Sequence, residues 1–370
     1  MRDVDLIIVG GGPAGSTLAR AMVQQGRRVL VLDKARFPRD KTCAGWVTPA
    51  VWRALEADPG EYGREHVLQP ITAFRIGLMG QTPCDNEHGD EPVSYGIRRC
   101  EFDHWLLERS GADCVQGEAV KSLERSGETW VINNRYRAPW LIGAGGHFCP
   151  VAAHLGRGPG GHELAVTAKE IEFAMTPEQE RICRVSGARP ELWFCRDLRG
   201  YAWIFRKGDY LNIGLGREDN HHLTEHLNNF VDDMKRSGRI PEDLPGRYKG
   251  HAYLLHGHAR RPLSGPGCLL IGDAAGLAYT QSGEGIRPAV ESALLAGRVL
   301  ADADIRAEQV ASSYESAILE RFGPRGDTRP PLQLPEWLKS AAAKPLMRSR
   351  WFTRRVVTEK WFLHREVPAL

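Results

Sequence analysis

Gly10-Gly11-Gly12-Pro13-Ala14-Gly15 follows the apolar run Leu6-Ile7-Ile8-Val9 directly. That order is what a bound phosphate requires of a protein chain. A buried strand must end and turn tightly into a helix. Gly10 permits the turn, Gly12 lets the backbone approach a pyrophosphate, and Gly15 lets the helix pack on the strand. The helix start then offers unpaired N–H groups and the positive end of its dipole. A helix is expected from Pro13, with Leu18, Ala19, Met22 and Val23 as its apolar stripe. Val29-Leu30-Val31-Leu32 reads as the next strand and ends in Asp33, with Lys34 beside it. Asp33 lies 18 positions after Gly15, close to the spacing at which an acid meets a ribose 2′-hydroxyl.

This fingerprint does not by itself distinguish FAD from NAD. A second stretch does. About 260 residues later, an apolar strand from Cys268 to Ile271 leads into Gly272-Asp273-Ala274-Ala275-Gly276. Ser282-Gly283-Glu284-Gly285-Ile286 and a helix from Arg287 to about Ala301 follow. A carboxylate at the strand end, Asp273, can accept a bond from a ribityl hydroxyl. The glycine-rich helix start, with Gly283, Gly285 and Ile286, can place N–H groups against the pyrimidine oxygen of a flavin, where charge gathers on reduction. The two stretches together read as the two halves of one FAD site, held without a covalent link.

The chain resembles the geranylgeranyl reductase group of FAD-dependent oxidoreductases, within the wider fold of the aromatic hydroxylases. The resemblance runs from Leu6 to about Leu300. It rests on the two glycine stretches, on Phe37 through Gly45, on Arg99 through Asp103, and on Tyr201-Ala202-Trp203-Ile204-Phe205. It implies that Cys43 lies near the flavin, donating a proton or positioning substrate. It implies that Arg99 approaches the flavin or its phosphates. Tyr201 and Trp203 fall in the substrate-side aromatic pattern of that family, so Cys43, Tyr201 and Trp203 are the expected catalytic set.

The departures from the family pattern are informative. Ala44 stands where the family has glycine, and Trp46 where a smaller residue is usual, which narrows or reshapes a pocket. Both prolines flanking the Tyr-x-Trp-x-Phe pattern are missing, and Arg206 adds a charge. Gly143-Ala144-Gly145-Gly146 stands where flavin hydroxylases carry an Asp-Gly pair. That carboxylate contacts flavin and pyridine nucleotide in the relatives. Direct reduction by NAD(P)H is therefore expected to be slow, and a separate electron-donor protein is the alternative.

These residues need a scaffold. At 370 residues the chain can hold one large α/β unit with an inserted second layer. The expected fold is α/β. A Rossmann-like FAD-binding domain is assembled from residues 1–70, 95–160 and 255–330. An interleaved α+β substrate domain from 71–94 and 161–254 covers the flavin with a mixed sheet. Residues 331–370 form a helical, basic and aromatic tail. It holds eight Lys/Arg against three Asp/Glu, punctuated by Trp337, Trp351, Phe352, Trp361 and Phe362. Such a tail suits a helix docked on the catalytic domain, a cap on a greasy channel, or contact with an acidic membrane surface.

Composition excludes several classes. A hydrophobic content of 42% and a charged content of 26% are ordinary for a soluble protein. A net charge of +3 is too small to imply nucleic acid. No apolar run approaches a membrane span of about 18 residues. The eight cysteines are scattered and read as reduced thiols. With a strand starting at the N-terminus and no signal peptide before it, the cytoplasm is the expected location. His221, His222 and His226 have helical spacing but no acidic or cysteine partner, so a solvated face is expected there and no metal. His251, His256 and His258 are assigned to loop surface. The expected activity is flavin-dependent hydride transfer to a C=C bond of a hydrophobic, isoprenoid-like or other secondary-metabolite substrate. The alternative is a flavin-dependent monooxygenase acting on an aromatic or polyketide-like substrate. A non-enzymatic flavin-binding protein would instead show an occluded pocket above the flavin.

Overall fold

The computed structural model describes residues 1–156, 165–219, 222–301, 307–326 and 344–370. His221 and Trp337 lie outside the described residues. Leu6–Val9, Val29–Asp33, Trp140–Gly143 and Cys268–Leu270 are wholly apolar or nearly so. Such runs fit strands covered on both faces. They form the middle of a six-stranded sheet in the order Ser264–Gly265, Cys268–Leu270, Trp140–Gly143, Leu6–Val9, Val29–Asp33 and Asp113–Gln116. Every neighbouring pair is parallel except the Ser264–Leu270 hairpin. The register aligns Leu270, Gly143, Val9 and Leu32. The carboxyl ends of four strands therefore meet at one edge, where ligands of open α/β sheets bind. The helix Pro13–Gln24 buries Leu18, Ala19 and Met22. It packs against the helix Ile286–Ala301, where Gly297 admits Leu18 and Ala21 at close range.

A seven-stranded mixed sheet lies over that edge. Its order is Lys249–Leu254, Ala165–Ala174, Tyr210–Arg217, Gly200–Lys207, Glu191–Phe194, Ala73–Leu78 and Cys84–Glu87. Alternation along Gly200–Lys207 separates two cores. Ala202 and Ile204 face the helix Leu223–Arg236, among Leu227, Phe230 and Val231. Tyr201, Trp203 and Phe205 face the other way, toward Trp46 and Phe74. A three-stranded sheet of Trp46–Val47, Ser94–Ile97 and Leu68–Ile71 lies beside them. A meander of Leu123–Ser126, Thr129–Ile132 and Tyr136–Ala138, with Arg2–Asp3, completes the strands.

The C-terminal segment returns across this second core. Met347, Val357, Phe362 and Leu363 are buried in it, and Thr353–Phe362 is wound as a π-helix. Phe362 stacks on Trp46 with ring centres 5.4 Å apart and planes 9° from parallel. The buried Arg287 holds the chain end, donating to the carbonyls of His364 at 3.4 Å and of Val367 and Pro368 at 2.8 Å each.

Arg98 is the extended cap of the helix Arg99–Arg109 and Arg99 its first residue. One local reading needs correction: His251 and His256 are not on loop surface. His251 lies within the strand Lys249–Leu254, and His256 is buried with its ring 3.0 Å from the Gly323 carbonyl. Both histidines sit where the covering sheet returns to the nucleotide sheet, His251 half-buried and His256 buried, which spacing alone does not reveal.

Candidate active site

A cavity of about 670 Å³ runs between the two sheets. Gly10, Gly12, Pro13, Ala14, Asp33 and Lys34 line one end. Arg99, Asp273, Gly283, Gly285 and Ile286 line its middle, and Cys43, Trp46, Tyr201 and Trp203 its far wall. Two of the sequence-predicted site residues are not on its lining. Gly15 and Gly272 stand behind it, at points of close packing. A Cβ on Gly15 would lie 1.9 Å from the Gly10 carbonyl oxygen. Gly10 itself has a φ of +113°, and a Cβ there would lie 2.4 Å from the Ala144 carbonyl oxygen. Gly12 differs: its nearest neighbour would be an Arg39 nitrogen 3.5 Å away. The fold does not require glycine at position 12, which is open toward the cavity.

The first end has the properties of an anion site. No side chain caps the helix Pro13–Gln24, so its first N–H groups are left for a ligand. The Asp33 carboxylate accepts from the N–H groups of Gly11 and Ala35, each at 2.8 Å. It thus stands fixed beside the glycine loop, with lone pairs left for a hydroxyl.

The middle is charged, and the sequence reading missed two of its members. Lys41 lines the cavity, and burial lowers its pKa to about 8 despite the nearby Asp273. His251 places Nε2 3.5 Å from the Asp273 carboxylate; burial chiefly lowers its pKa, as the charge of Lys41 also does. For Asp273, burial raises the pKa, but the bond to His251 and the charge of Lys41 outweigh it and hold the group below its ordinary value. Arg99 makes a two-pronged pair with the fully buried Asp103, at 2.8 and 2.9 Å. Arg39 reaches the same carboxylate at 3.0 Å. Burial opposes the charge of Arg99, but Asp103 and the Cys43 sulfur more than compensate and raise its pKa. Lys41 lies inside a segment whose basic character is plain in the sequence, but only the fold turns it inward.

The covering sheet grips Cys43 through its backbone. The Glu170 carboxylate accepts the Cys43 N–H at 2.8 Å. The Asn212 amide donates to the Cys43 carbonyl at 3.2 Å, and its oxygen accepts the Trp203 indole N–H at 2.7 Å. Burial raises the pKa of Glu170 to about 7, with the Cys43 N–H and Lys207 opposing. The thiol receives the Gly45 N–H at 3.4 Å and lies against Arg99. The Tyr201 hydroxyl donates to the Ser282 carbonyl, which ties the aromatic wall to the second glycine stretch. Glu284, also on the lining, has its pKa raised to about 7 by burial.

The layout is that of a dinucleotide-binding oxidoreductase fold, a Rossmann-like sheet with a second, mixed sheet roofing its cavity. A model of the NAD(P)-binding Rossmann-like domain matches residues 8–39. Over 352 residues the chain is 28% identical to digeranylgeranylglycerophospholipid reductase of Thermoplasma acidophilum, covering 87% of this chain and 85% of the relative. It is 29% identical over 339 residues to menaquinone reductase of Mycobacterium tuberculosis, covering 86% and 80%. The solved structure of a geranylgeranyl bacteriochlorophyll reductase-like protein of Thermoplasma acidophilum superposes with a TM-score of 0.72 at 22% identity, over 94% of this chain and 88% of the other. Flavin-dependent monooxygenases and halogenases share the fold at 18–19% identity. The chain is thus similar over most of its length, at 28–29% identity, to reductases of the geranylgeranyl reductase-like group of FAD-dependent oxidoreductases.

Proposed function

We propose that this protein holds FAD non-covalently in the cavity and reduces a C=C bond of a hydrophobic, isoprenoid-like substrate. The observation that carries this reading is the position of Cys43. Its thiol faces the cavity between the charged middle and the aromatic wall, on a peptide gripped from both sides by Glu170 and Asn212. Bound FAD supplies the hydride.

The residues present fit that cofactor. The open backbone at Gly12 and the uncapped helix start suit its phosphates. Asp33 suits the adenosine ribose and Asp273 the ribityl chain. Gly283, Gly285 and Ile286 suit the pyrimidine edge, and the half-buried Lys41 and buried Arg99 balance negative charge there. Cys43 holds the proton at Sγ for the second alkene carbon. Tyr201 positions instead of donating, because its hydroxyl is committed to Ser282. Trp46, Tyr201 and Trp203 give an apolar wall that excludes water. Phe362 backs both Trp46 and Tyr201, with ring centres 5.4 and 5.3 Å away, so the chamber ends there and favours a compact alkene or the end of a chain.

Two curated relatives carry the names of a prenyl-lipid reductase and a quinone reductase, which supports a hydrophobic substrate. The monooxygenase reading has a likeness of fold behind it and no residue of the site. Gly145-Gly146 on the lining leave no carboxylate for a pyridine nucleotide, so a separate donor protein supplies electrons faster than NAD(P)H. The test is to reduce the yellow protein without oxygen and add prenylated alkenes or quinones. Reoxidation by an alkene is expected, slowed about a hundredfold in Cys43→Ser with FAD retained. Reoxidation that needs oxygen and an aromatic substrate would overturn the reading.

A further inference from the structure

The positive charge of this protein is concentrated in its C-terminal segment. Residues 344–370 carry seven Lys/Arg and two Asp/Glu, a balance of +5 against +3 for the whole chain, so the remainder is at −2. The segment is firmly seated. Met347, Thr353, Val357 and Phe362 are buried beneath it, and the Cys84 thiol donates to the Arg348 carbonyl at 3.3 Å. Its outer face is therefore fixed in place.

That face pairs an apolar anchor with unbalanced charge. Trp351 is 68% exposed and Leu346 42% exposed. Trp351, Arg354 and Arg355 fall within one stretch of five residues and all three are exposed. Three guanidinium groups converge on the single carboxylate of Glu359: Arg355 at 2.8 Å, Arg354 at 3.4 Å and Arg365 at 4.0 Å. One negative charge cannot satisfy three positive ones, so the cluster retains an excess of two. Lys344, Arg348 and Lys360 add exposed cations. Among the described residues no helix is long and apolar enough to cross a membrane.

We propose that this face docks the protein on an anionic phospholipid bilayer, with Trp351 entering the headgroup boundary and Arg354, Arg355 and Arg365 meeting lipid phosphates. An exposed indole beside arginines is the combination that interfacial segments use. An acidic electron-carrier protein would need the charge but not the indole. The inference does not depend on the reaction proposed above, because its readout is binding alone.

The test is co-sedimentation of the full chain with vesicles of phosphatidylcholine containing one quarter phosphatidylglycerol, and with pure phosphatidylcholine. The protein should pellet with the first and not the second, and be released by 0.5 M salt, with a blue shift of tryptophan emission on binding. Neutralising Arg354 and Arg355 together to Gln should weaken binding roughly thirtyfold, about fivefold per charge. Trp351→Ser should abolish the blue shift and weaken binding about tenfold, and its exposed position leaves the fold intact. Equal recovery from both vesicle types would overturn the proposal. So would binding that needs the arginines but is unchanged by Trp351→Ser, which would point to an acidic protein surface instead.

Discussion

The two ends of the cavity are built on different principles. At the proposed nucleotide end, one short stretch of chain makes the site: residues 10–15 turn, open and start a helix, and Asp33 follows at the end of the neighbouring strand. At the proposed reactive end, no two consecutive residues suffice. Cys43 is held by Glu170, from a strand about 130 positions away, and by Asn212 from the next strand. The first end is fixed by backbone conformation and the second by buried side-chain pairing. Damage to the first should therefore act through steric overlap, and damage to the second through charge and desolvation.

The sharpest test of the nucleotide end sets Gly15 against Gly12. Gly15→Ala would force a Cβ to within 1.9 Å of the Gly10 carbonyl oxygen, between two backbones that cannot move independently. A loss of about 3 kcal/mol or more is expected, with a protein that is colourless or does not fold. Gly12→Ala meets nothing nearer than 3.5 Å. Its denaturation midpoint should stay within about 1 kcal/mol of the parent while FAD affinity falls about tenfold or more, read by flavin fluorescence on titration. If Gly12→Ala costs stability and spares FAD, position 12 is structural and the phosphate reading fails.

The same contrast explains what could be read without a structure. The Rossmann-like sheet, the helix at Pro13 and the helix at Ile286 each announce themselves through apolar runs punctuated by glycine. The face shared by Tyr201, Trp203 and Phe205 follows from the two-residue period of a strand. Lys41, His251 and Glu170 had no such local signal. Lys41 stands in a basic loop that looks solvated. Glu170 occupies one position of a strand with mixed polarity. His251 belongs to a cluster with no metal spacing. Their roles arise because the Ala165–Ala174 and Lys249–Leu254 strands are laid across the loop at 39–46. That pairing is set by the packing of whole sheets.

The next largest effect distinguishes Arg99 from Arg98. These neighbours differ in what they leave behind. Arg99→Met strips the fully buried Asp103 of its two-pronged partner and leaves it to Arg39. A loss of about 3 kcal/mol is expected, at the lower end for a broken buried pair, with FAD lost on gel filtration. Arg98→Met gives up a half-buried pair with Glu101 and a 3.7 Å stack over the Tyr210 ring. About 1 kcal/mol is expected there, with FAD retained. Urea denaturation of both variants ranks them, and the reverse order would mean that the wrong arginine has been assigned to the cavity.

The last test probes the clamp on Cys43 through pH. Burial raises the pKa of Glu170 to about 7 in the folded protein, against roughly 4.3 in an unfolded chain. Between those values the folded form holds a proton that the unfolded form has released. Stability therefore falls as pH rises through this window and levels off above it. For one carboxyl the loss is on the order of 4 kcal/mol at most, since a tenfold change in proton affinity is worth about 1.36 kcal/mol. Glu284, also raised to about 7, acts in the same direction. Glu170→Gln keeps an oxygen for the Cys43 N–H and removes the ionisation. Its urea midpoint should change less between pH 5 and pH 8 than that of the parent, by roughly half of the total. Glu284→Gln should flatten the profile by a similar share without loosening Cys43, as judged by the rate of thiol labelling. A profile unchanged in Glu170→Gln would mean that this carboxylate is ionised throughout and that Cys43 is held by a charge instead of a neutral acid.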